Sequence, residues 1–108
     1  MNRATCAERI AVFADRLRGA DVADVVMGSA ALHMLDAVGV GLAASAAPQC
    51  SGWASCAVPG PAPLISGGTA SAGSAAMVNG ALIHALEYDD THTASVVHGS
   101  AVATPVAL

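Results

Sequence analysis

Apolar positions recur along this chain in helical registers separated by short polar breaks. In "TCAERIAVFADRLRG", Ile10, Phe13, Ala14 and Leu17 fall three or four apart, on one side of a helix. Thr5 and Glu8 stand at capping-box spacing, where a hydroxyl and a carboxylate satisfy opposed backbone N–H groups. Gly19 is the expected stop, and Asp21 the expected cap of the next helix. That helix, residues 22–45, is apolar nearly all round and rich in Ala and Gly, the pattern of close packing on several sides. Its glycines (Gly28, Gly39, Gly41) each cost up to about 1 kcal/mol of helix propensity, which packing must offset.

Residues 47–63 read as a loop by their Pro, Gly and Ser content. "LISGG" fits a short strand or a turn. Periodicity resumes over residues 74–88, with Ser71 or Ser74 as cap and Met77, Leu82, Ile83 and Leu86 on the apolar side. This helix is expected to end at the acidic run in "HALEYDDTH". A further helix is expected from Ser100. Pro105 would fall in its second turn, so it either starts nearer residue 104 or is kinked. The predicted class is all-α, with at least three helices, a Gly/Pro/Ser-rich connection and no repeat.

The 108 residues allow one small domain at most. With 55% hydrophobic and 11% charged residues, the chain has too few polar groups to cover itself, so exposed apolar patches or a larger assembly are expected. The apolar second segment contains Asp24, His33 and Asp36. A charge at the centre of a membrane span costs about 3 kcal/mol, which favours a buried helix of a soluble protein over a span. The net charge is −4, lysine is missing, and the four arginines (Arg3, Arg9, Arg16, Arg18) lie in the first 18 residues. That excludes a nucleic-acid footprint and suits a solvated helix face. Cys6, Cys50 and Cys56 form no CxxC pair and fit no zinc or iron–sulfur spacing. Glu8 and Asp15 interrupt any signal-peptide core, and a reducing cytoplasmic setting is the default expectation.

Against this background "HALEYDDTH" stands out. His84, Glu87, Asp89, Asp90 and His92 all ionise near or below neutral pH. In a continuous helix His84 would share a face with Glu87 and Tyr88. A helix end, a short loop carrying His98 and a new helix start bring such groups around one pocket, and the free N–H groups near Ser100 to Val102 would suit a substrate carboxylate. A histidine there can move protons, and a carboxylate can orient it or act as base. Plainer readings compete: Asp89 and Asp90 as a helix end, His84 as a satisfied core histidine. No two histidines stand at HxxxH spacing, so no metal site is expected.

"MVNGALIHALEYDDTHTASVVHGSAVATPVAL" resembles the signature region of the MmgE/PrpD family. The family pattern there runs through an Asn-Gly, a "HALDFDDTH", a His-Pro-Ser and an apolar, proline-bearing helix. "LHMLDAVGVGLAAS" is similar to the family's early "LLDTLGVALAGS", and "ISGG" falls where the family has "VLGGG", so the likeness covers residues 5–108. The family contains 2-methylcitrate dehydratases, cis-aconitate decarboxylases and iminodisuccinate epimerases. The resemblance implies a metal-independent lyase with no cofactor, acting on a small citrate-like di- or tricarboxylic acid. It also implies homodimers, and an all-helical domain that forms the site together with a smaller α+β lid. Carried onto this chain, it makes Glu87, Thr91 and His98 the catalytic candidates, with His98 as acid/base. Asp89, Asp90, His92 and Ser100 are second choices, for substrate binding. Two positions depart from the pattern: Glu87 replaces an Asp, and Gly99 replaces the Pro after the histidine. Residues 1–108 would then be a partial N-terminal helical domain, ending inside a helix, without lid or basic substrate clamp. The rival reading is a truncated, inactive helical module that associates with itself or with a missing C-terminal part.

Overall fold

The computed structural model describes residues 4–17 and 22–108, and the chain divides into two compact units, Met1–Ala30 and Ala31–Leu108. Arg3, Arg18 and the expected signals at Gly19 and Asp21 lie outside the described residues. Among those residues the structure is mostly helical, with one two-residue strand pair and one isolated bridge, in agreement with the all-α expectation.

In the first unit, helix α1 spans Cys6–Arg16. Its capping box is present: Thr5 Oγ1 accepts from the Glu8 N–H at 3.2 Å, and Glu8 Oε2 accepts from the Thr5 N–H at 2.7 Å. The apolar side is exposed, with Ile10 at 67% and Phe13 at 64%.

Helix α2 spans Asp24–Ser45 and buries only Ala37, Gly41 and Ala44. The expectation of a helix packed on several sides is therefore not met within this chain. Leu32 and Leu35 are 69% and 70% exposed, and the residues that α2 does bury are all small. By length and composition this helix could also cross a membrane. At Gly41 an added Cβ would lie 3.1 Å from Ile65 and 3.3 Å from Ile83, so glycine there sets how closely α2 meets the core.

Two 3₁₀ turns, Pro48–Cys50 and Trp53–Cys56, follow α2. "LISGG" proves to be the turn between strands β1 (Ala62–Pro63) and β2 (Thr69–Ala70), with Gly67 and Gly68 at φ of 95° and 79°, where only glycine is unstrained. Helix α3 spans Ala72–His84 and is capped by Ser71, whose side chain accepts from the Ser74 N–H. Ala44, Cys50, Leu64, Ala70, Ala75, Val78 and Leu82 form the core. Asn79 is fully buried at its edge. Its Oδ1 accepts from the Ile65 N–H at 2.8 Å and its Nδ2 donates to the Pro63 carbonyl at 3.0 Å. One amide thus ties the strand turn to α3.

Helix α4 spans Gly99–Ala107 and includes Pro105. Proline has no N–H, so the Ala101 carbonyl four residues back loses its helical donor. The helix nevertheless begins at Gly99 rather than near residue 104. An added Cβ on Gly80 would lie 2.8 Å from the Ala101 oxygen. Glycine at position 80 therefore lets α3 and α4 approach at the turn where proline has loosened the ladder.

Candidate active site

The chain leaves α3 earlier than periodicity suggested. The helix ends at His84, and Glu87 sits at φ 54°, in the left-handed region that costs a side-chain-bearing residue about 1 kcal/mol or more. Glu87 and Tyr88 consequently do not share a helix face with His84. Both are exposed, Tyr88 at 78%. The reversal turns the next residue inward: Asp89 is 6% exposed overall, and its side chain is wholly buried.

Two histidines fourteen residues apart meet this carboxylate. His84 Nδ1, from the last turn of α3, lies 3.2 Å from both Asp89 oxygens at hydrogen-bonding geometry. His98 Nδ1, from the N-cap position of α4, lies 3.2 Å from Asp89 Oδ2. The two rings pack edge-on, with centroids 4.5 Å apart. Thr91 Oγ1 is 3.4 Å from His98 Nδ1, a long contact. His84 is thus no core histidine: its side chain is 49% exposed and that of His98 is 30% exposed. An ionised carboxylate can only accept, so it fixes the proton of His84 on Nδ1 and leaves Nε2 with a free lone pair.

Asp90 has a separate task. Its Oδ1 accepts from the Ser100 N–H at 2.9 Å. The free α4 N–H groups expected to receive a substrate carboxylate are thus already engaged at Ser100 by a carboxylate of the same chain. The Ser100 side chain holds the Asp90 carboxyl below its ordinary value of 3.8, its backbone N–H and the nearby His33 act the same way, and partial burial opposes them. Because the folded value lies below the unfolded one, the stabilisation is complete above pH 3.8 and fades as pH falls through the lower folded value. Asp90→Ala should cost about 1 kcal/mol, as loss of a helix cap does. Urea titrations at pH 7 and pH 3 should show the variant's deficit shrinking at pH 3; an equal deficit at both would place the effect elsewhere.

Of the remaining sequence candidates, His92 Nδ1 lies 2.7 Å from Ser95 Oγ in the exposed turn closed by the His92–Val97 bridge. That turn holds Val96 at φ 53°. Ser100 is buried at the start of α4. The structure thus gathers Thr91 and His98 about Asp89, adds His84, which sequence reasoning had set aside, and leaves Glu87 and His92 outside. The spacing of two histidines on different helices gives no sequence signal for this arrangement.

The profile of the MmgE/PrpD N-terminal domain matches residues 8–108. The chain belongs to the MmgE/PrpD family. No curated protein and no solved structure matches it. In this MmgE/PrpD chain the acidic run sits on the turn between α3 and α4, and His98 occupies the N-cap position of α4 without a side-chain capping bond.

Proposed function

We propose that this MmgE/PrpD domain carries the proton-transfer part of a lyase for a citrate-like di- or tricarboxylic acid, resembling a 2-methylcitrate dehydratase. The observation that carries the reading is the sharing of one buried carboxylate, Asp89, by two partly exposed histidines. In a dehydration a histidine nitrogen takes the proton from the carbon next to a carboxylate. The electron pair moves toward that carboxylate and returns as the new C=C bond, and the hydroxyl on the neighbouring carbon leaves as water with a proton given back by a histidinium. In a decarboxylation the C–C bond to CO2 breaks instead, and a histidinium protonates the carbon that keeps the electron pair. His98 is the acid/base group, and Asp89 positions the pair. Thr91 lies beside His98.

Residues 31–108 contain no lysine or arginine. A polyanionic substrate needs cationic partners, so they must come from outside this unit. The exposed apolar sides of α1 and α2 support association, with homodimerisation as the expected form. The same faces also suit the rival reading of a non-catalytic helical module. The deciding experiment uses the full-length protein with a set of citrate-like acids in deuterated water. One acid should lose water or CO2, or exchange its C–H, and His98→Ala should lower kcat by about 10² to 10⁴-fold. Absence of exchange and turnover with every acid would favour the module.

A further inference from the structure

We propose that His84, Asp89 and His98 also form a chelating site for a borderline-soft divalent cation, zinc being the natural probe. Each histidine Nδ1 lies 3.2 Å from Asp89 Oδ2. Zinc bonds nitrogen and carboxylate oxygen at about 2.0–2.2 Å, and in a tetrahedron that sets neighbouring donors about 3.3–3.5 Å apart. The two observed separations are therefore already close to tetrahedral edges, and all three donors lie within 4.8 Å of one another. Two imidazoles and a carboxylate are also a zinc-type donor set.

Charge points the same way. The Asp89 side chain is wholly buried, and among the described residues its ionic partners are these two histidines alone. Among the described residues no lysine or arginine pairs with it, so a cation between the rings gains a buried carboxylate that lacks a fixed counter-charge there. The site is also accessible, since the two rings are 49% and 30% exposed and leave room for a water as fourth ligand. The start of α4 is held in place from behind: Asp90 accepts from the Ser100 N–H, two residues after His98. Sequence spacing misses such a site because its histidines come from two helices rather than one.

The ion would occupy the nitrogens that face Asp89 and lock both rings, so its predicted effect on the proposed chemistry is inhibition. The binding claim does not depend on that chemistry, because it is read with the metal alone. Metal-free full-length protein is titrated with Zn²⁺ by calorimetry and with Co²⁺ by visible absorption. We expect one saturable site per chain, and cobalt d–d bands of tetrahedral intensity. His84→Ala and His98→Ala should each weaken binding by about 10-fold or more, a loss that even supporting residues of metal sites produce. His84→Gln and His98→Gln, which keep polar side chains at these exposed positions, should do the same. Cys6→Ser and Cys56→Ser should each bind as the parent does, which excludes the two exposed thiols as ligands. No saturable binding, or binding unchanged in all four histidine variants, would overturn the proposal.

Discussion

Asp89→Asn in the full-length protein is expected to lower kcat by about 10² to 10⁴-fold while the protein still folds. The carboxylate is an obligate acceptor for His84 Nδ1–H, at 3.2 Å. An amide of the same size can turn its NH2 group toward the ring, which reverses the tautomer and places the proton on the wrong nitrogen. It also removes the negative charge that stabilises either ring as it takes up a proton. Substrate binding should suffer less than turnover, because Asp89 is buried and a buried acid opposite two histidines would not meet an anionic substrate. A variant with unchanged kcat and a raised KM would contradict this role.

Asn79→Ala is expected to be the most damaging substitution to the fold. It creates a small cavity and, more seriously, strips partners from the Ile65 N–H and the Pro63 carbonyl. Ile65 is half-buried and Pro63 exposed, so water reaches part of this pair, and the lost hydrogen bonds together with the lost side chain should cost about 1–3 kcal/mol. Asn79→Leu should be no better, since it restores volume but no hydrogen bond. Urea unfolding of the full-length protein, followed by a probe in this domain, would check the size. A loss under about 0.5 kcal/mol would mean that water replaces the amide.

Much of this was legible in the residues. Thr5 and Glu8 announced the start of α1 through capping chemistry, and Ser71 or Ser74 that of α3, with Ser71 proving to be the cap, because a cap is a local interaction between neighbours in sequence. The acidic run and His98 were legible through the family signature. The end of α3 was not: Glu87 is a poor left-handed residue, so nothing at that position signals the turn that buries Asp89. His84 was misread for the same reason, since a helix continued to residue 88 would have turned it toward the core. The exposure of α2 was illegible because its apolar residues encode burial against something, without saying what.

The account rests on His84, Asp89 and His98 acting as one unit. The most direct test is a cycle of kcat/KM values for Asp89→Asn, His98→Ala and the double variant in the full-length protein. If the two act through one another, the double variant should be no worse than the poorer single variant by more than about threefold, the non-additivity that a cooperating set shows. If the two losses multiply instead, Asp89 and His98 work independently, and the shared carboxylate is not the centre of the site.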